Sequence, residues 1–276
     1  SSLILGVSHS YTNESDQRKG WLFGGQGDSL YSDYTISNSS FYTGIKKNIR
    51  NITIKLSARY DYMVQDNISF ISYYSSEVSN NEHNTSISLL GSRAEMLYDI
   101  NSNLNLMSSV SRGYKPSGIN QTPNIGIEDG LPENLRTFDS EEGNNFDLNL
   151  RYEDKKTYID LGIFYMYRVK PQVRLSYQLI EGDPTSFDYY TTNADKGYTY
   201  GVEGDMRFTV NNNLLFYDRF TINKTYLSKY SYLDNQIGDR SMSHAPEFCA
   251  YGGIEYLYNN FKFTATHSLN LGYYYD

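Results

Sequence analysis

Five short polar turns punctuate the chain: Lys47-Asn48-Ile49-Arg50-Asn51, Ile100-Asn101-Ser102-Asn103, Glu153-Asp154-Lys155-Lys156, Asn211-Asn212-Asn213 and Tyr258-Asn259-Asn260. They recur at intervals of roughly 50 residues, each flanked by about ten residues that alternate apolar and polar. That alternation is the period of a β-strand with two unlike faces. Long polar loops join successive turns at the far ends. Short turns at one end and long loops at the other is the plan of a transmembrane β-barrel.

The clearest strand is Ile52 to Tyr62. Ile52, Ile54, Leu56, Ala58, Tyr60 and Tyr62 share one face, and Thr53, Lys55, Ser57, Arg59 and Asp61 share the other. So complete a charged face cannot pack on a second sheet, so it meets water or a wet lumen. The pattern returns at Phe146, Leu148, Leu150 and Tyr152, then at Ile159, Leu161, Ile163, Tyr165 and Tyr167. It returns again at Tyr198, Tyr200, Val202, Met206 and Phe208, opposed by Glu203, Asp205 and Arg207, and at Phe248, Ala250, Ile254 and Tyr256. The apolar set is expected to face lipid and the charged set the concave side. Asp218 breaks the rule by falling in register with Leu214 and Phe216, which suggests a slip toward the lumen or a bulge.

Composition agrees. The 276 residues include 29 Tyr and 13 Phe, and aromatics reach 16%. Tyrosine joins an apolar ring to a polar tip and suits strands near lipid headgroups. A mean hydropathy of −0.59 excludes a helical membrane protein but not a barrel, which turns alternate residues to water. No apolar run approaches the roughly 18 residues of a spanning helix. No signal peptide is visible at Ser1, and both termini fall inside alternating segments, so the chain is expected to be a fragment. The single cysteine, Cys249, excludes an intrachain disulfide framework. A net charge of −8 argues against a nucleic-acid partner.

About eleven strands are expected, over 2–12, 31–47, 51–64, 85–100, 104–113, 138–153, 157–178, 189–210, 213–226, 245–257 and 261–275. The long loops are then 13–30, 65–84, 114–137, 179–188 and 227–244, all at one end.

Several strings add a family resemblance. Ser111-Arg112-Gly113-Tyr114-Lys115-Pro116-Ser117-Gly118-Ile119-Asn120 resembles a strand-to-loop passage of TonB-dependent outer-membrane receptors. Phe138-Asp139-Ser140-Glu141 with Asn145-Phe146-Asp147-Leu148, and Ile163-Phe164-Tyr165-Met166-Tyr167-Arg168 with Gln172-Val173, are similar to later strings of that barrel. Tyr200-Gly201-Val202-Glu203-Gly204-Asp205 and Ala245-Pro246-Glu247-Phe248 follow in the family's order. Arg168-Val169-Lys170-Pro171 departs by replacing an acidic pair, and 140–145 lacks a usual lysine.

The resemblance implies an all-β, antiparallel transmembrane barrel of about 22 strands, with residues 1–276 supplying about half of it. It implies a plug domain outside this sequence and a TonB-type energy-transducing partner that reaches the barrel through the plug. It also implies the outer membrane of a Gram-negative bacterium as the place, and a scarce nutrient as the cargo, foremost a ferric siderophore, with vitamin B12, haem and oligosaccharides as other family cargoes. No covalent chemistry and no resident cofactor or metal is implied.

The residues themselves suggest no enzyme. His9, His83, His244 and His267 lack a second histidine at ligand spacing, and no Cys–His cluster exists. Trp21-Leu22-Phe23-Gly24-Gly25-Gln26-Gly27-Asp28 is glycine-rich but lacks the Lys-Ser/Thr of a phosphate loop. Nothing local orders a Ser–His–Asp triad. The acid runs Glu141-Glu142 and Glu153-Asp154 are read as solvated rims. Cargo contacts are expected on the inner wall and loops, where charge, hydrogen bonds and stacking hold an anionic or aromatic chelate. The residues expected there are Arg112, Tyr114 and Lys115 in the third loop, and Trp21 and Phe23 in the first. Tyr114 and Lys115 also suit a purely structural strand–loop junction. A porin-like barrel without a plug and a barrel enzyme are the competing readings. A soluble β-propeller fits less well, because only two strands fill each interval.

Overall fold

The computed structural model describes residues 1–22, 25–72, 78–120, 132–178, 182, 187–232, 235–243 and 245–272. Side chains are described for the same residues apart from 18–22, 25–30, 68–72, 78–81, 188, 231–232 and 235–237. The strands are β1 (Ser2–Leu22), β2 (Gly25–Ile49), β3 (Ile52–Ser72), β4 (Val78–Asp99), β5 (Leu104–Lys115), β6 (Gly118–Ile119), β7 (Thr137–Phe138), β8 (Glu141–Glu153) and β9 (Thr157–Val169). They continue as β10 (Gln172–Gln178), β11 (Phe187–Asn193), β12 (Lys196–Asn211), β13 (Leu214–Leu227), β14 (Tyr230–Tyr232), β15 (Asn235–Ile237), β16 (Phe248–Tyr258) and β17 (Phe261–Leu271). Eleven of them form one antiparallel sheet in the order β1-β2-β3-β4-β5-β8-β9-β12-β13-β16-β17. The order follows the chain, so the sheet is an up-and-down meander. It is open, with β1 and β17 at its edges.

Register places the apolar set on one face. Ile45, Leu56, Ala94, Val110, Phe146, Tyr165 and Tyr200 lie side by side across seven strands. Leu56, Leu150, Leu161 and Ile163 are exposed, while Ile54 and Leu148 are half-covered by their neighbours. The polar face carries Lys46, Lys55, Glu95, Ser109 and Asp147 in one row. One cavity on that face is lined from five strands, by residues that include Lys55, Glu95, Ser109, Asp147 and Glu203. A single surface that gathers residues from β3 to β12 around one space is concave. Several of its charges are paired, across strands for Lys55–Glu95 at 3.0 Å and Arg151–Asp160 at 2.5 Å and within β4 for Arg93–Glu95 at 2.6 Å. Such pairing satisfies charges that lie partly covered against the wall.

All five turns fall where the sequence places them. The loop ends differ from expectation. β1 and β2 run on to Leu22 and from Gly25, through most of the expected loop 13–30. β3 and β4 likewise extend to Ser72 and from Val78, into the expected loop 65–84. About 9–11 residues suffice to cross a bilayer, so these strands of 21 to 25 residues project beyond it. There both faces meet water, apolar alternation is no longer required, and a strand signal based on it disappears.

The expected strand 157–178 is broken. Lys170 adopts φ 50°, Pro171 follows without an N–H, and the chain leaves the wall. β10 then pairs with β11 as a separate hairpin, so the expected strand 189–210 breaks as well. The break is pinned where Lys170 N donates to Asp195 O at 3.1 Å and Ala194 N donates to Pro171 O at 2.9 Å.

Asp218 is neither slipped nor bulged. It pairs in unbroken register with Met206 and Gly252, so its side chain lies on the apolar face. It meets His267 of β17, with Oδ2 3.1 Å from Nε2. Gly252 lies between them, and a Cβ there would stand 2.5 Å from Asp218 Oδ2 and 2.8 Å from the His267 ring. The missing side chain lets the pair close over the intervening strand.

Candidate functional site

At the loop end the wall is capped by segments that fold back over it. Asn120, 6% exposed, holds two of them together. Its Nδ2 donates to Leu135 O and Thr191 O at 2.6 and 2.7 Å, and its Oδ1 accepts from Thr191 N at 2.7 Å. Asn120, which follows β6, is thus tied both to the segment at Leu135 and to β11 of the β10–β11 hairpin. Tyr190, 1% exposed, completes the junction by packing against Leu135, Leu175 and Tyr177. Below it Gln172 Nε2 donates to Pro116 O and Asp139 O, and Lys170 Nζ lies 2.6 Å from Asp139 Oδ2. These bonds join the described parts of the loop-end segments to one another.

Among the described residues, two concavities lie beside these segments. The larger encloses about 950 Å³ and is lined by Arg168, Arg174, Arg240, Tyr189, Tyr230 and Met242, among others. Arg174 stacks over Tyr189, its guanidinium carbon 4.8 Å from the ring centroid. Arg168 is anchored by Glu141 at 2.6 Å, and Arg240 donates to the Tyr230 hydroxyl at 3.2 Å. Arginine forks and tyrosine rings around one space suit an anionic, partly aromatic ligand.

The smaller encloses about 540 Å³ between the inner wall of β1–β3 and the loop that follows β5. Glu14, Asp16, Tyr34, Gln65, Asn67 and Lys115 line it. Burial and the Glu14 carboxylate push the Tyr34 hydroxyl upward in pKa, which keeps it a donor.

The expected contact residues separate. Lys115 lines the smaller cleft. Tyr114 turns inward and donates to Asp61 of β3, passing over Gly91 of β4, where a Cβ would lie 3.3 Å from its ring. Asp61, 2% exposed, also accepts from Arg59 Nε at 2.8 Å, Asn38 at 3.0 Å and Ser40 at 2.5 Å. Arg112 shares a row with Ser92 and Ala58 on the apolar side and pairs with Glu142 at 2.6 Å. Trp21 lies on β1 with its side chain outside the described residues, and Phe23 lies outside them altogether. Sequence reasoning did not single out Arg168, Arg174 or Arg240 as contacts. Arg168-Val169-Lys170-Pro171 carried a signal, since a basic run ending in proline at a strand end turns charge toward the loops.

Comparison with known proteins completes the description. No curated protein matches the chain by sequence. Among solved structures, the ferric yersiniabactin uptake receptor FyuA from Yersinia pestis superposes with a TM-score of 0.76 at 14% identity. That match covers 96% of this chain and 39% of FyuA. The ferric-catecholate import receptor Fiu from K12 E. coli gives 0.69 at 12% identity, over 96% of this chain and 41% of Fiu. The copper transporter OprC gives 0.57 at 8% identity, over 97% of this chain and 44% of OprC. The chain therefore spans about two fifths of the length of these proteins. At such identities the likeness is one of fold. The family profile described as TonB dependent receptor-like, beta-barrel matches residues 2–276, and the chain belongs to that family.

Proposed function

We propose that this chain forms half the wall and much of the outer vestibule of an outer-membrane receptor. The receptor imports a scarce, anionic metal chelate, foremost a ferric siderophore. The observation that carries the reading is the arginine–tyrosine cleft at the loop end of a wall of this family. Several structural neighbours bear the names of ferric-siderophore receptors, which supports the cargo class. In this reading, iron arrives already chelated. The arginines neutralise the chelate, Tyr189 and Tyr230 stack on it, and no side chain need ligate the metal. Lys115, Trp21 and Phe23 belong to the proposed contact set, while Arg112 and Tyr114 brace the wall below it. Release inward is driven from the inner membrane through a plug and a TonB-type partner. Both the plug and the remaining strands lie outside these residues in the proposal, as does the Gram-negative setting.

The test is radiolabelled iron uptake at limiting ferric siderophore by cells carrying Arg174→Ala or Arg174→Ala/Tyr189→Ala. Surface display of the receptor is measured in parallel. Uptake is expected to fall about tenfold for the double variant, equivalent to about 1.4 kcal/mol of lost binding, at unchanged display. Full uptake at normal display removes this cleft from the cargo path.

A further inference from the structure

Arg168 stands between glycines in its row of the concave face. Its neighbours across the strands are Gly143 of β8 and Gly197 of β12, and Gly113 of β5 lies beyond Gly143. A Cβ at Gly113 or Gly143 would meet nothing within 4 Å among the described residues, so the floor on that side of the arginine is open. A Cβ at Gly197 would lie 2.9 Å from the Met242 methyl, so Met242 occupies the room left by that missing side chain. The two edges of the guanidinium are held unequally. On the inner edge, Nε and Nη2 both lie 2.6 Å from Glu141 Oε1. Glu141 is 8% exposed and is fixed in turn, since its Oε2 accepts from Gln172 N at 2.9 Å. The outer edge meets only a thioether among the described residues, with Nη1 3.4 Å from Met242 Sδ. Sulfur is a weak acceptor, whereas a charged oxygen makes a shorter and stronger bond to a guanidinium.

We infer that the outer edge of Arg168 takes an oxyanion of the bound chelate, and that Met242 is a cover which this oxyanion displaces. The inference rests on the larger cleft being the cargo path. Arg168 and Met242 both line that cleft. Glu141 takes up the inner edge and fixes the aim of the guanidinium. The Nη1–Nη2 edge is then presented for two parallel bonds to one anionic group. A thioether side chain is unbranched, turns about three bonds and adapts readily to its surroundings. Its displacement exchanges a weak sulfur acceptor for a charged oxygen, so no donor is left unmet and the bond to it strengthens. Met242 is tied to the wall at its backbone, where its N donates to Thr225 Oγ1 at 2.9 Å. The exchange therefore asks only for a side-chain rotation, with the loop left in place. Before cargo arrives, the same thioether keeps the fork aligned and the space over Gly197 filled.

The test is binding of a hexadentate ferric tris-catecholate to the full-length protein in detergent, followed by quenching of intrinsic fluorescence. The parent, Met242→Leu, Met242→Gln, Arg168→Lys and Arg174→Ala/Tyr189→Ala are compared. Met242→Leu is close in volume and has no acceptor, so it is expected to bind as tightly as the parent or up to about threefold more tightly. Met242→Gln places an amide oxygen on the fork, a stronger acceptor to displace, and is expected to bind about fivefold more weakly. Arg168→Lys keeps the charge and loses the fork, with an expected loss of about tenfold. A loss in Met242→Gln beside none in Met242→Leu is a contrast that disturbed packing does not produce. Equal losses in both overturn the inference, because Met242 would then act by packing. Parent-like binding by Met242→Gln or by Arg168→Lys also overturns it, as does the absence of saturable binding to the parent. The double variant separates the two readings. Parent-like binding by Arg174→Ala/Tyr189→Ala would mean that the probe bypasses the cleft, and the proposed cargo path falls together with this inference. Loss in the double variant beside parent-like Met242→Gln and Arg168→Lys leaves the cargo path standing and removes only the part given to Arg168 and Met242.

Discussion

At the scale of single residues, Asp61 joins the wall to its loop. It is a nearly buried carboxylate that collects donors from β2, β3 and β5. Its place on the charged face is legible in the alternation from Ile52 to Tyr62. Its partners are not, because Asn38, Ser40 and Tyr114 lie 23, 21 and 53 residues away. Only register and curvature bring them together. Tyr114→Phe removes one bond to a charged acceptor, an expected loss of about 1.5–3 kcal/mol. Asp61→Ala leaves Arg59 without its carboxylate. Because Arg59 is half-exposed, the expected loss lies toward the lower end of the roughly 3–5 kcal/mol seen when buried pairs are broken. Denaturant unfolding of the full-length protein in micelles checks both. Equal stability of Tyr114→Phe and the parent would mean that the bond to Asp61 contributes nothing.

At the scale of elements, the short turns are built by local chemistry, which is why they are legible. Asp154 between β8 and β9 is an example. Its Oδ1 accepts from Lys156 N at 2.8 Å and Thr157 N at 2.7 Å, and its Oδ2 accepts from the Tyr152 hydroxyl at 2.8 Å. These bonds, foremost the one from the Lys156 N–H, hold its pKa below the usual carboxylate range. A depressed folded-state pKa stabilises the turn above the unfolded pKa, and this is lost as pH falls through the folded value. Amide exchange at Thr157 is therefore expected to lose protection on acidification into and below the ordinary carboxylate range. Asp154→Asn should abolish that pH dependence, and an unchanged pH profile in the variant would assign it to another group. The long loops follow other rules. Asn120 and Gln172 bind backbone groups up to 71 and 56 residues distant, and no local pattern announces such partners. The Lys170-Pro171 break shows the same limit. Proline marks a discontinuity in sequence, but the pairing of β10 with β11 depends on where the chain goes next.

At the scale of the whole molecule, the eleven strands leave two open edges and one broad apolar face. Leu3, Leu5 and Val7 of the β1 edge are 62, 62 and 78% exposed. Unpaired edges and bare apolar surface template association. Residues 1–276 expressed alone are therefore expected to self-associate in detergent, as read by light scattering after size-exclusion chromatography. A monodisperse monomer with one cooperative melt would contradict this. The sequence by itself determined the turns, the two faces of the strands that alternate cleanly, such as Ile52 to Tyr62, and the end that bears the loops. A bilayer outside and water inside force a two-residue period on every crossing strand, and Asn- or Asp-led turns need only their neighbours. Tertiary structure alone decided how far β1–β4 project, that Asp218 reaches His267 on the apolar face, and which charges line each cleft. Beyond the bilayer the solvent no longer distinguishes the two faces of a strand. There the meeting of side chains depends on register across strands and on the path of the returning loops, neither of which is written in any local stretch of chain.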